Sequence, residues 1–236
     1  LVVKEHGGIV ILPLVPERHE PCDVLAIGLG KSEPDLSATV LAADLSELVA
    51  AYVLAESLDT AAGQLHRLPL PGRSRPSVLL LVGLGNETPA DVRIAAVALG
   101  RAIAGLPESR SVAVALDAPD AAHSRALAEG LVLGGYDFDL SSEPSDELRV
   151  VHLVGSVHHD GLAAGDAAAD AAGWARDLGN TPADRLTPHG LAVAARDQLT
   201  AAGCQVSVRE PDWLAANGFG GVLAVGGGSA SGPRFI

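Results

Sequence analysis

Residues 78–82 read Val-Leu-Leu-Leu-Val, five apolar side chains in succession with no polar face. An antiparallel strand with one wet side would alternate apolar and polar residues, whereas a continuous apolar run needs cover on both faces. The spacing predicts a strand over 77–84, the strongest such signal in the chain. A strand buried on both sides implies a sheet sandwiched between helices, which is an α/β layered fold.

The flanking sequence supplies matching pieces. Residues 2–3, 8–15 and 23–28 read as buried strands, the last being Asp-Val-Leu-Ala-Ile-Gly bounded by Pro21 and Gly30. Residues 45–58 carry apolar side chains at helical spacing around Glu47 and Glu56. A Pro/Gly/Arg loop is expected at 68–76. Thr88, Pro89 and Asp91 form a helix start for a helix over 92–103. Then follow a strand at 110–116, a helix at 121–133, a polar loop at 141–147 and a strand at 149–154. Strand and helix repeating at this interval predict parallel pairing with right-handed crossovers.

A second unit begins after an alanine-rich run. Residues 163–175 are nearly all Ala, Asp and Gly with one Trp, good helix-forming material at most positions. Pro182 biases Thr181 away from the α region, so that helix is expected to stop near Leu178 or Gly179. Thr187 is placed to cap a new helix over 188–202 with Pro188 in its first turn. Residues 204–209 alternate like a short strand, 212–217 read as a helical turn, and Leu223-Ala224-Val225 reads as a strand entering Gly226-Gly227-Gly228-Ser229. This opens a second α/β unit without completing it, because two strands and two helices leave an uncovered sheet edge. Ile236 falls within an apolar run, an end that reads as a truncation.

Composition narrows the function classes. At 236 residues there is room for two domains, the second short, and 48% hydrophobic residues with only 3% aromatics and no Met imply a core of Val, Leu, Ile and Ala. A formal charge of -13 argues against a broad nucleic-acid or anionic-membrane surface. Cys22 and Cys204 stand too far apart in sequence for a metal knuckle or a redox pair, and read as buried thiols in a reducing compartment. No run approaches the roughly 18 apolar residues of a membrane span, and no charged leader precedes an apolar secretory segment. The expected location is cytoplasmic.

Each chemical motif has a plainer reading. Gly28-Leu29-Gly30-Lys31-Ser32 ends a strand like the second half of a phosphate-binding loop, but Leu25 stands where the first glycine is required, so an ordinary turn is the better account. Gly83-Leu84-Gly85 is likewise short of a dinucleotide fingerprint. A nucleophile elbow centred on Ser229 needs Gly at 231, and one centred on Ser231 needs Gly at 229; both fail. His158-His159-Asp160, with His152 nearby, is the one dense imidazole cluster. Adjacent side chains on a strand point to opposite faces, so a solvated loop is expected there rather than a metal site. The acids between residues 160 and 177 keep one helix face wet. No catalytic, cofactor-binding or metal-ligating residue is assigned.

A resemblance organises these pieces. Arg176-Asp177-Leu178-Gly179-Asn180-Thr181-Pro182, followed by Leu186-Thr187-Pro188, resembles the segment entering the catalytic domain of the leucyl aminopeptidase family, the M17 cytosol aminopeptidases. In matching order stand Val82-Gly83-Leu84-Gly85, Glu129-Gly130, Tyr136-Asp137-Phe138, the helix at 163–175, Gly218-Phe219-Gly220-Gly221, Ala224-Val225-Gly226, Gly228-Ser229 and Pro233-Arg234. The likeness covers most of the chain, more loosely before residue 77. Mild departures are Asp184, where the family generally has Asn, and Phe219, where Met is common. Asn180-Thr181-Pro182-Ala183-Asp184-Arg185 looks superficially like a later catalytic motif, but Pro182 occupies the place of its Asp ligand, so no catalytic role is transferred.

The resemblance implies a macro-domain-like N-terminal α/β domain over 1–155, a linker helix over 156–179, and the start of an α/β/α catalytic domain over 180–236. It implies hexamers, peptide substrates and two divalent metals per subunit, Mn²⁺ or Zn²⁺ foremost and Mg²⁺ also known, activating a water for attack on the peptide carbonyl. Family ligands lie in an Asp-Ser/Thr-Gly-Gly segment and an Asn-Thr-Asp-Ala-Glu-Gly-Arg segment, neither present in these 236 residues. The chain alone is therefore expected to bind no metal and to be inactive. An alternative is a stand-alone macro-like nucleotide-binding or regulatory module without peptidase activity. DNA binding is disfavoured by the acidity.

Overall fold

The computed structural model describes residues 8–13, 22–30, 43–73, 75–107, 111–138 and 148–236. The strand expected at 2–3, the loop at 141–147, and Lys31 and Ser32 lie outside these. The chain divides into two compact units, Leu1–Gly173 and Trp174–Ile236.

In the first unit six strands form one mixed sheet: β1 Gly8–Pro13, β2 Val24–Leu29, β3 Leu65–Pro69, β4 Val78–Gly83, β5 Val112–Ala115 and β6 Leu148–Val154, in the order β1-β6-β5-β2-β4-β3. Every pairing is parallel except β3 with β4. All six residues of β4 are buried, and the strand divides its side chains between two cores. Val78, Leu80 and Val82 join Val24, Ala26, Val112 and Val114 on one face, beneath α2 (Pro89–Ala104) and α3 (Ala121–Gly134). Leu79 and Leu81 join Leu25, Ile27, Ala113 and Ala115 on the other, beneath Leu45 and Val49 of α1 (Ala43–Glu56). Each fully buried leucine contributes roughly 1.5–3 kcal/mol of transfer free energy. The layered α/β architecture expected from the 78–82 run is the one observed.

Strand β3 is a correction. The loop expected at 68–76 begins later, because Leu65–Pro69 pairs antiparallel with β4, Leu68 opposite Leu79. The strand is half exposed and ends in Pro69, as befits a sheet edge where no further donor is needed.

Helices α2 and α3 lie unusually close. A Cβ on Gly130 would come within 2.6 Å of the Arg93 carbonyl oxygen, and Cβ atoms on Gly100 and Gly134 would collide with the backbones of Leu131 and Val97. Glu129-Gly130, one of the ordered landmarks, thus has a packing explanation. Gly83-Leu84-Gly85 has another: Gly83 lies against the Ala61 carbonyl and Gly85 has φ +57, a conformation few side chains tolerate.

At the amino ends of β2, β4 and β5 sits Asp23. Its Oδ2 accepts from the Ser111 backbone N–H and hydroxyl, both at 3.0 Å, and Arg75 Nε lies 3.1 Å from Oδ1. The Ser77 N–H and hydroxyl donate to its carbonyl. The Ser111 N–H bond foremost, with its hydroxyl and Arg75, holds the carboxyl below its ordinary value against the opposing effect of burial.

Helix α4 spans His159–Asn180, starting four residues before the expected 163 and running past Leu178 and Gly179. Pro182 restrains only its immediate neighbour, so the α conformation persists to Asn180 and breaks where Thr181 precedes the proline.

In the second unit α5 is Pro188–Ala201, α6 Pro211–Ala216 and α7 Gly220–Gly226. The strand expected at 204–209 is reduced to one bridge, Arg209 with Phe235. Leu223-Ala224-Val225 lies inside α7 rather than in a strand. The second difference has a physical reason. An isolated strand leaves its backbone groups unpaired, whereas a helix satisfies them within the segment.

Candidate functional site

In open parallel sheets the carboxyl ends of the strands form the usual ligand crevice. In the first unit the described residues of that rim follow β4, β5 and β6, with Gly30 after β2. Their contacts are mutual. His123, in the first turn of α3, places Nδ1 2.8 Å from Asp120 Oδ1 and Nε2 3.0 Å from the Glu87 carbonyl oxygen. Asp120 caps α3, accepting from the His123 N–H at 2.9 Å. Asp91 accepts from the Thr88 hydroxyl at 2.9 Å and from the Asn86 N–H at 3.2 Å, and Thr88 caps α2. Asp117 accepts from the Ser156 N–H at 3.0 Å. Asp120 thus takes a free N–H at the start of α3, while Asp91 and Asp117 hold the turns beside them.

Two shifted groups sit here. The Asp120 carboxylate raises the His123 imidazole above its ordinary 6.5, burial opposes this, and the Glu87 carbonyl adds to the rise. The hydrogen bond from the His123 N–H, then its ring, holds Asp120 below the ordinary 3.8. Sequence reading passed over this group, although the Asp120-x-x-His123 spacing at a helix start was a usable signal.

The imidazole cluster singled out in sequence is solvent-exposed, as expected, but only His158 lies in the loop, and that loop is pinned. The His158 N–H donates to Ser124 Oγ at 2.9 Å, its ring Nε2 lies 3.0 Å from the Pro119 carbonyl, and His159 already belongs to α4. Among the described residues no group of three or more His, Cys, Asp or Glu side chains could hold a metal ion. Partial burial raises the Cys22 thiol, which lowers its reactivity, whereas Cys204 is exposed. Cys22 is half-buried and Cys204 exposed, so the reading of both cysteines as buried is not borne out.

The segment entering the second unit is a joint built from backbone bonds. The Thr181 hydroxyl donates to the Asp177 carbonyl at 2.6 Å, the Arg185 and Leu186 N–H groups both donate to the Pro182 carbonyl at 2.9 Å, and Thr187 caps α5 through the Gly190 N–H at 3.2 Å.

Farther on, Phe219 packs between Trp213 and Phe235, ring centres 5.4 and 5.2 Å away, with the Arg209 guanidinium 4.9 Å above Trp213. Arg234 pairs with Glu210 at 2.9 Å. A cleft of about 540 Å³ is lined by Pro188, Val222, Val225, Ser229, Pro233 and Arg234 among others, and is mostly apolar. Ser229 Oγ accepts from the Ser231 N–H at 3.1 Å, the hydrogen bond of a turn.

Comparison with known proteins agrees with this organisation. Residues 26–143 match the model of the cytosol aminopeptidase family N-terminal domain, and residues 173–236 match that of the family's catalytic domain. A "probable cytosol aminopeptidase" of Streptomyces avermitilis is 32% identical over 91% of this chain, and one of Mycobacterium bovis is 35% identical over 98%. The chain spans 47% and 45% of their lengths, about half. Among solved structures, the bottromycin maturation enzyme BotP in complex with Mn is 33% identical with a TM-score of 0.68, covering 90% of this chain and 44% of that one. A tomato leucine aminopeptidase shares the fold at 23% identity, with a TM-score of 0.69 over 96% of this chain and 49% of its own. With two family models matched in chain order and relatives similar over nearly its whole length, this chain belongs to the cytosol aminopeptidase family.

Proposed function

We propose that this chain is the N-terminal portion of a leucyl aminopeptidase, a two-metal exopeptidase that releases N-terminal amino acids from peptides. The observation that carries the reading is the ordered pair of matches, the family's N-terminal domain over 26–143 and its catalytic domain over 173–236. Residues 1–155 form the N-terminal domain in this reading, 156–179 the linker helix and 180–236 the beginning of the catalytic domain.

The family's metal pair does not fit the residues present, since no donor set among the described residues converges. No hydrolytic step is therefore derived from them. In this reading the ligands belong to the part of the catalytic domain that the relatives carry and this chain does not span. BotP with Mn supports manganese as the occupant of the whole protein's site, with zinc the other candidate. A hexamer and a cytoplasmic location complete the proposal; no helix of the described residues is long and apolar enough to cross a membrane. The comparisons lend no support to a stand-alone nucleotide-binding module.

The test is the coding sequence beyond Ile236. In-frame Asp-Ser/Thr-Gly-Gly and Asn-Thr-Asp-Ala-Glu-Gly-Arg segments are expected, and a continued frame without them would overturn the assignment.

A further inference from the structure

The hydrogen-bonding partners of His123 set a requirement on its proton count. Nδ1 faces the Asp120 carboxylate and Nε2 faces a backbone carbonyl, and both oxygens can only accept. A neutral imidazole has a single N–H, so one of the two contacts would set a nitrogen lone pair against an oxygen. Only the imidazolium donates to both.

The second contact falls on a constrained residue. Glu87 has φ +59, in the left-handed region that non-glycine residues seldom occupy. Its N–H donates to the Leu84 carbonyl at 2.9 Å, and its carboxylate packs over Gly30, where a Cβ would collide with it. Glu87 thus carries the β4–α2 turn on the rim, and its carbonyl is fixed by a residue of α3.

We propose that His123 is a proton-operated latch: as imidazolium it clasps the Glu87 carbonyl and holds the β4–α2 turn in its strained conformation, and loss of one proton releases that turn. The proton leaves from Nε2 to solvent, because Nδ1–H faces a full negative charge and keeps the stronger bond. The imidazole is 15% exposed, enough for exchange with water.

Among the charged groups around the latch, the Asp120 carboxylate favours the clasped state. Asp120 lies on its own helix, Glu87 on the turn it holds and Asp91 in the first turn of α2, while Asp117 and His158 come from the segments after β5 and β6. All but His158 are acids, and that imidazole is engaged with the Pro119 carbonyl. The sign follows from the two shifts. The raised His123 contributes fully below 6.5 and is lost as pH rises through its raised value; the lowered Asp120 contributes above 3.8 and is lost as pH falls through its depressed value. The latch is closed between these limits and opens on the alkaline side.

The full 236-residue chain, labelled with ¹⁵N, tests this directly. Long-range ¹H–¹⁵N spectra at pH 6 should show both His123 nitrogens protonated, with a midpoint above 6.5 and the amide shifts of Asn86, Glu87 and Thr88 moving at that same midpoint. Asp120→Asn, which keeps an oxygen for the helix cap, should bring the midpoint down to 6.5 or lower. In His123→Gln those amide shifts should no longer titrate above pH 6, which excludes His158 as their source. A neutral His123 at pH 6, turn amides indifferent to its titration, or an unchanged midpoint in Asp120→Asn would each overturn the latch. The wild-type titration decides the matter even if a variant fails to fold.

Discussion

The two units reach order by different means. In Leu1–Gly173 a sheet is covered on both faces, and nearly every fully buried apolar side chain belongs to it. In Trp174–Ile236 only Ala192, Ala195 and Leu214 are buried apolar residues, helix α7 buries none, and Val225 is 91% exposed. The second unit is held by caps, turns, one bridge and an aromatic cluster. The catalytic-domain match lies on the less buried unit.

Core truncation should separate the units most. Leu81→Ala, at a position 0% exposed, should cost roughly 2–5 kcal/mol through lost transfer energy and a residual cavity. Val225→Ala should change stability by no more than about 0.5 kcal/mol. Urea denaturation of both variants measures the contrast, and equal losses would break it.

Adding one methyl group is a sharper probe. Gly130→Ala drives a Cβ against the Arg93 carbonyl and should cost about 1–3 kcal/mol. Gly221→Ala meets nothing within 4 Å and sits in α7, so it should be neutral or stabilise by up to about 1 kcal/mol. Thermal melts of the pair check the sign as well as the size.

A third effect is electrostatic. Asp23→Asn should cost about 1.5 kcal/mol at neutral pH by weakening the charge-assisted bonds from Ser111 and Arg75. Because the Asp23 carboxyl is held low, that stability is present above 3.8 and lost as pH falls through the depressed value. The difference between wild type and variant should shrink on acidification; a gap that widens below pH 4 contradicts the assignment.

Much of the first unit was legible because burial on both faces leaves an unbroken apolar signature, as in β4 and β2. Strand β3 was not, since Leu65–Pro69 is half exposed, mixes His66 and Arg67 with apolar residues, and owes its conformation to β4. Alternation in 204–209 and the apolar run at 223–225 misled for the converse reason. Each was compatible with a strand but had no neighbouring strand to pair with, and a short apolar run does not distinguish strand from helix. The caps Thr88, on the rim, and Thr187, in the second unit, were readable from their Thr-Pro pairs. The His123 contact with the Glu87 carbonyl was not, because it depends on α3 and the β4–α2 turn meeting across 36 residues. The landmark glycines were legible as a family pattern before their packing reasons were visible.

The central claim of the proposal is that these 236 residues carry the family's architecture and that its metal ligands lie outside them. Hydrolysis of a leucyl anilide with added Mn²⁺, by a preparation whose intact mass confirms the 236-residue chain, tests it most directly. The account predicts no turnover above the metal-only rate. Sustained, Mn²⁺-dependent turnover by that verified species would contradict it.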